Sequence, residues 1–220
     1  IHKIYIVTDN QTPLFLKNNK NLDKYKNVVI VDHKEIFKEK EAFLPVFNCR
    51  PIEARLYKIP KLAEHFIYFN DDMFLVKETK ITDFFRNNAP VLRGKWISFD
   101  EDIFYKKPFI TKEKKKRAGH KKAQQLGAKI IGLDKYFKFH HTPYPLRKST
   151  FHNFFTKNPS IEDLNINFRF RNYQQYTPQG LANHIEIKNN TCTLLKDYNL
   201  VYYQNYKKPF WWLRFKLNAA

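Results

Sequence analysis

Glycine is scarce, with five in 220 residues. That is too few for a glycine-rich phosphate cradle, and neither G-x-G-x-x-G nor G-x-x-x-x-G-K-[ST] occurs. Any phosphate bound by this chain must therefore be held by side chains, a metal ion or helix N-termini. Cysteine is scarcer still: Cys49 and Cys192 alone. This excludes a disulfide framework and a Cys/His zinc pattern, and fits a reducing compartment without requiring one. No apolar run approaches the length of a membrane span, and no signal peptide is evident. Internal repeats, Ser/Gly linkers and nucleic-acid-binding signatures are also lacking. The sequence opens on Ile1 rather than Met, directly on a strand-like segment, as expected of a fragment or trimmed chain. Acidic residues are in the minority, 21 against 40 Lys and Arg, for a net charge of +19. Such a field draws polyanions, whether nucleic acid, anionic lipid, nucleotide or acidic polysaccharide, without choosing among them.

The chain is rich instead in apolar and aromatic mass. Hydrophobic residues make up 43%, and there are 21 Phe and 13 Tyr, enough for a sizeable core, so residues 1–220 are expected to form one domain. Lys3–Thr8, Val28–Val31 and Phe66–Phe69 read as buried strands. Pro13–Asn18 and Lys34–Lys40 fit helices between them, and Pro51 with Ile52, Leu56 and Ile59 on one face marks another. Alternating strands and helices predict a Rossmann-like α/β fold, a mostly parallel sheet with flanking helices. A helical and irregular, basic C-terminal half is expected after it. Thr82–Asn87 reads as a short helix, and Val91–Leu92 and Trp96–Phe99 as short extended pieces. Lys112–Leu126 reads as a lysine-rich helix ended by Gly127. Ser149–Lys157 and Asn172–His184 read as helices, the second broken near Pro178. Ile185–Ile187 and Thr193–Leu195 read as a hairpin. The lysine-rich helix is either a solvated face or a contact for an anionic membrane or acceptor chain. The tail Lys207–Leu217 mixes Trp and Phe with cations, which suits docking on the domain or a bilayer interface.

The chemistry concentrates in Phe66-Ile67-Tyr68-Phe69-Asn70-Asp71-Asp72-Met73-Phe74-Leu75, where a β-rich apolar run ends in an amide and two adjacent carboxylates. In an open parallel sheet the loops after the strands line the ligand crevice. Carboxylates there are costly unless solvated, paired or bound to a cation. A hard divalent ion bridging a substrate phosphate meets that need. A cap at Asp71 or Asp72 with the other facing water meets it too. Downstream, His140-His141-Thr142-Pro143 offers an imidazole that titrates near neutral pH and can accept a hydroxyl proton. Phe168-Arg169-Phe170-Arg171-Asn172 offers guanidinium groups suited to phosphate. The bland alternatives are a structural His pair and a strand with one buried face.

The residues around the acidic turn carry a longer pattern. Leu44-Pro45-Val46-Phe47-Asn48 leads to Ile52-Glu53, then to Ile59-Pro60-Lys61-Leu62-Ala63-Glu64-His65-Phe66-Ile67-Tyr68 and Asn70-Asp71-Asp72. With Ile4–Asp9 and Val31-Asp32-His33, this order closely resembles the Stealth family of sugar-1-phosphate transferases over residues 1–86. The family includes bacterial capsule-polymer phosphotransferases and the catalytic subunit of the lysosomal-enzyme N-acetylglucosamine-1-phosphotransferase. The resemblance implies a cytoplasmic enzyme, peripheral on the inner membrane face, that moves sugar-1-phosphate from a nucleotide diphosphate sugar of the UDP-HexNAc type to a glycan hydroxyl. It implies Asp71 and Asp72 as ligands of Mg²⁺ or Mn²⁺, and Asn48, Glu53 and Asn70 as substrate-binding residues. It selects His141 over His140 through a His-x-Pro segment. It implies that Arg169 or Arg171 stabilises the phosphoryl group, and Arg171 is favoured because a polar residue comes after it. No specific nucleic-acid partner is expected.

Two departures stand beside the match. The family's initial strand with an Asp-Gly-Ser-Asp-like turn has no counterpart before Ile1, and its late Asn-Asp is poorly matched by Tyr202-Tyr203-Gln204-Asn205-Tyr206. The rival readings are a metal-dependent glycosyltransferase that attacks the sugar carbon, and a non-enzymatic polyanion-binding module.

Overall fold

The computed structural model describes residues 1–17, 23–105, 116, 118–196 and 209–219. The N-terminal run becomes β1 (Ile4–Thr8), followed by α1 (Leu14–Lys17) and β2 (Val28–Asp32). The two strands pair in parallel, from Ile4 against Val28 to Thr8 against Asp32. Asp32 then caps α2 (His33–Ile36): its carboxylate accepts from Lys34 N at 2.8 Å while Glu35 returns to Asp32 N at 2.9 Å. This capping box satisfies two otherwise orphaned helix donors.

Asn48 caps α3 (Cys49–Arg55), which a 3₁₀ turn, Leu56–Lys58, extends toward β3 (His65–Tyr68). β4 (Phe85–Arg86), the ten-residue β5 (Ala89–Ser98) and β6 (Lys135–Phe139) form an antiparallel sheet, and β8 (Thr193–Leu195) runs parallel to the first half of β5. α4 (His120–Ile130) lies before β6, and β7 (Tyr144–Arg147) leads into α5 (Lys148–Lys157), α6 (Pro159–Ile166) and α7 (Pro178–Lys188). α8 (Phe210–Ala219) ends the chain.

The mostly parallel Rossmann-like sheet is not the one that forms. Among the described residues the sheets are small and mixed: a parallel β1–β2 pair, an antiparallel β3–β7 pair, and the antiparallel β4–β5–β6 sheet with β8 attached. The reason is non-local. The chain does pass from β2 through helix to β3, but β3 pairs with β7, which runs the other way, and not with β1 or β2.

Smaller differences have local causes. Residues 81–83 form a 3₁₀ turn and Phe85–Arg86 a strand, because the segment folds back on β5. The two extended pieces expected at 91–92 and 96–99 are one strand. α4 passes through Gly127 and stops at Gly132, whose φ is +73°. There, Leu133 N bonds Ala128 O and Gly132 N bonds Lys129 O, which closes the last carbonyls in a Schellman turn. Gly127 instead admits α7, since a Cβ there would lie 3.3 Å from Leu181 Cα. Pro178 starts a helix rather than interrupting one, and Ile185–Ile187 continue it, so no hairpin forms. Residues 112–115 and 117 of the expected basic helix, the segment 202–206 and residues 207–208 of the aromatic tail lie outside the described residues.

Among the described residues, the two larger apolar clusters meet at β3. One gathers Val31, Ile36, Phe37, Leu56, Ile59 and Ile166. The other gathers Tyr57, Phe137, Phe139, Leu146, Phe151 and Tyr176. Phe66 and Tyr68 pack against both, so β3 joins them. A buried ion pair crosses nearby, with Arg55 Nη1 2.9 Å from Glu162 Oε1; Arg55 Nε also donates to Ile36 O and Tyr57 Oη to the same Glu162 oxygen. The extra donors supply the hydrogen bonds that a desolvated pair needs.

Candidate active site

The antiparallel register of β3 and β7 builds the site. Tyr68, the last residue of β3, sits opposite Tyr144, the first of β7. In an antiparallel pair the residues just after β3 therefore lie beside the residues just before β7. This brings Asn70–Asp72 against His140–Pro143, although the two segments are about 70 residues apart in the chain. The turn at Asn70 is closed by Met73 N donating to Asn70 O at 3.2 Å. Tyr144 Oη donates to His140 O at 2.8 Å and pins the opposite segment.

His141 Nε2 lies 3.0 Å and 3.2 Å from the two carboxylate oxygens of Asp72, and 3.4 Å from Asn70 Nδ2. The pair is open to solvent, the His141 side chain 33% and that of Asp72 66% exposed. In such a setting an ion pair contributes little stability, so the arrangement is one of positioning.

Beneath the turn, Tyr68 Oη donates to Glu53 Oε1 at 2.8 Å and also touches Asn70 Oδ1. Glu53 is buried in the second turn of α3. Burial first, and then the Glu53 charge, push the Tyr68 hydroxyl far above its ordinary pKa, so it stays a donor.

Nitrogen-bearing side chains approach the site from α4 and from the segment around Arg171. His120, at the start of α4, meets the His141 ring edge-on at 6.0 Å between centroids. Gln124, one turn on, holds His120 Nδ1 at 3.2 Å and bonds Phe139 N and O at 3.0 Å each. His120 keeps an exposed edge, yet partial enclosure, followed by the charges of His141, Arg50, Arg171 and Lys138, pushes its pKa down to about 4. It is therefore neutral at pH 7, in a region of positive potential.

Arg171 Nη2 reaches Cys49 Sγ at 3.6 Å, at the head of α3. Cys49 has its thiol pushed up by burial and by the Glu53 charge. Arg50 is buried, and its guanidinium donates to Asn172 O at 3.0 Å and Gln175 O at 3.2 Å, which anchors the Arg171 segment.

The structure thus brings together Asn70, Asp72 and His141, with Glu53 below; Asp71 is exposed on the same turn. Arg171 stands on the same cationic side as His120. Arg169 is exposed and contributes its main-chain carbonyl, which accepts from Phe47 N at 2.7 Å. Asn48 is employed by the fold at both ends of its amide: Oδ1 accepts from Arg50 N and Nδ2 donates to Phe168 O, each at 3.0 Å. Tyr68, His120 and Arg50 are absent from the sequence-based site. The i, i+4 spacing of His120 and Gln124 was the available signal, because it places both on one helical face.

Among the described residues no group of three or more His, Cys, Asp or Glu side chains forms a metal cage. Two adjacent carboxylates beside an amide oxygen are nonetheless the kind of donor set a hard divalent cation accepts when phosphate and water complete its shell.

Residues 1–91 match the family model for Stealth protein CR2, conserved region 2. The receptor polysaccharide phosphotransferase WefC of Streptococcus gordonii is 31% identical over 192 aligned residues, covering 78% of this chain and 56% of the relative. The capsular polysaccharide phosphotransferases fcs1 of Haemophilus influenzae and LcbA of Neisseria meningitidis are 48% and 47% identical over 89 residues, 40% of this chain and 22% and 23% of theirs. The chain thus spans about half the length of the streptococcal relative.

Proposed function

The chain is a homologue of the Stealth-family polysaccharide phosphotransferases, and on that premise we propose that it carries the site of a sugar-1-phosphate transferase. The donor is a nucleotide diphosphate sugar of the UDP-HexNAc type and the acceptor a hydroxyl of a growing surface glycan. The acceptor oxygen bonds to the phosphorus that bears the sugar. The bond from that phosphorus to the nucleotide's bridging oxygen breaks, and nucleoside monophosphate leaves.

The observation that supports this reading best is the 3.0 Å contact between His141 Nε2 and Asp72. A carboxylate so placed orients the imidazole and stabilises its charged form after it accepts the hydroxyl proton. Asn70 sits against the same nitrogen and restricts its rotation. Arg171 and the neutral His120 supply donors and positive potential for the transferred phosphoryl group. Asp71 and Asp72 would hold Mg²⁺ or Mn²⁺, which supplies charge neutralisation of the diphosphate when bound. Glu53 acts through Tyr68 on the turn, and Asn48 keeps the head of α3 in place.

No described helix is long and apolar enough to cross a membrane. A peripheral contact with an anionic bilayer is assigned to α8, where Phe210, Trp211 and Phe215 are exposed beside Arg214 and Lys216.

The released nucleotide tests the reaction. Incubated with UDP-N-acetylhexosamine and glycan, the full-length protein should release UMP and produce a phosphodiester resonance in the ³¹P spectrum. Release of UDP without that resonance identifies attack at the sugar carbon and overturns the assignment.

A further inference from the structure

Two phenylalanine rings face water on the Arg171 side of the site. Phe47 is 64% and Phe170 68% exposed, and the rings stack with centroids 5.4 Å apart and planes 21° from parallel. Single exposed apolar side chains are commonplace and call for no account. This pair differs, because the backbone under it is fixed. Phe47 N donates to Arg169 O at 2.7 Å, Asn48 Nδ2 to Phe168 O at 3.0 Å and Arg50 Nη1 to Asn172 O at 3.0 Å. Val46, one residue before, is buried. The segment ahead of α3 and the segment after α6 are thus laced together, and the rings are held as a platform.

Charge stands beside it. Arg169 and Arg171 flank Phe170 in the chain, and both are exposed. Arg171 reaches Cys49 Sγ at 3.6 Å, and its charge acts on His120, whose ring meets that of His141. The platform therefore borders the site through Arg171. A ligand that suits it alternates C–H-rich faces with anionic groups. The C–H bonds on one face of a sugar ring carry slight positive charge and meet the negative face of an aromatic ring. A guanidinium fork meets the oxygens of a phosphodiester. A chain with net charge +19 draws such a polymer from a distance.

We infer that Phe47, Phe170 and Arg169 form a subsite for the acceptor chain. It holds a sugar ring and a neighbouring phosphodiester of glycan already made, behind the hydroxyl that reacts. The inference rests on the phosphotransferase reading and adds a substrate preference to it: the acceptor is itself phosphodiester-linked, rather than a neutral glycan or a single sugar. An acceptor of several repeats then binds more tightly than one of a single repeat, because only the longer one reaches the platform and the reacting site together.

The base of the donor nucleotide is the competing occupant. A base in a specific site is read through the hydrogen-bonding groups at its edge. The polar groups closest in sequence to these rings are already engaged by the fold: the Phe47 N–H by Arg169 O, and the Asn48 amide by Arg50 N and Phe168 O. Ring surface and guanidinium are what the platform offers to solvent, and both favour the glycan.

Binding to the full-length protein tests this without turnover. The probes are a fluorescent oligomer of phosphodiester-linked N-acetylhexosamine 1-phosphate repeats, a neutral N-acetylhexosamine oligomer of the same length, and UDP. Wild type should bind the phosphodiester chain more tightly than the neutral one. Phe47→Ala and Phe170→Ala should each weaken both chains roughly three- to tenfold and leave UDP affinity unchanged. Arg169→Gln should weaken only the phosphodiester chain, by about tenfold, and flatten its salt dependence. Phe170→Tyr keeps the ring and should keep the binding, whereas Phe170→Leu keeps only apolar bulk and should not. Loss of UDP affinity in Phe170→Ala overturns the proposal by assigning the platform to the donor base. Equal affinity of wild type for the two chains overturns it as well, and so does unchanged chain binding when Phe47→Ala and Phe170→Ala are combined. Failure of the phosphotransferase reading shows elsewhere, as UDP in place of UMP in the turnover assay.

Discussion

Removing the Tyr68 hydroxyl probes how the site is held. Tyr68→Phe leaves the ring stacked against Tyr144, 6.4 Å between centroids, and deletes one oxygen. That oxygen donates to Glu53 Oε1 at 2.8 Å and touches Asn70 Oδ1. Glu53 is 5% exposed, so water cannot readily replace the lost donor. A hydrogen bond to a charged partner contributes about 1.5–3 kcal/mol. If the loss falls on folding, the urea midpoint drops with an unchanged slope. If it falls on the order of the Asn70–Asp72 turn, turnover drops roughly ten- to a hundred-fold while donor KM changes little, since the hydroxyl positions the turn and does not bind substrate. Tryptophan fluorescence in urea and nucleotide monophosphate release on the full-length enzyme separate the two. Glu53→Gln in the Tyr68→Phe background should add less than it does alone, because the two groups act through one contact. A Tyr68→Phe protein within about 0.5 kcal/mol of wild-type stability and within twofold of its turnover would refute the claim that this contact organises the site.

Acid stability should depend on His184. It is fully buried on α7, accepts from Phe137 N at 3.0 Å, and has its pKa pushed down to about 4 by burial. The unfolded imidazole titrates near 6.5, so the stabilisation is complete above that pH and is lost as pH falls toward 4, by about 3 kcal/mol in all. His184→Gln should flatten this dependence in urea titrations from pH 7 to 4.5. The assignment of α8 to an anionic bilayer predicts that the full-length protein sediments with phosphatidylserine vesicles, and that Trp211→Ala with Phe215→Ala reduces the bound fraction severalfold; unchanged binding removes α8 from that role.

Local structure was legible in the sequence, and long-range pairing was not. The apolar runs at β1, β2 and β3 and the helix over Ser149–Lys157 stand close to where periodicity places them. The Asn-Asp-Asp turn comes directly after its strand, as its position behind the apolar run suggests. The sheet itself was misjudged, because nothing within residues 1–70 reveals that β3 pairs with Tyr144–Arg147, a segment with Pro145 opposite Ile67. That same pairing brings His141 to Asp72. Ile185–Ile187 is too short an apolar run to separate strand from buried helix, and packing of α7 through Gly127 decided for helix. His120 was hidden in a lysine-rich stretch that reads as a solvated face. Its partner Gln124 meets Phe139 only when α4 lies on β6.

The most direct measurement is a double-mutant cycle between Asp72 and His141 on nucleotide monophosphate release by the full-length protein. Asp72→Asn and His141→Ala should each lower kcat by about 10²–10⁴, and the double variant should be little slower than the worse single one, as for groups that act as a unit. Multiplicative losses, or near-wild-type turnover in His141→Ala, would contradict a joint role for the carboxylate and the imidazole in phosphoryl transfer.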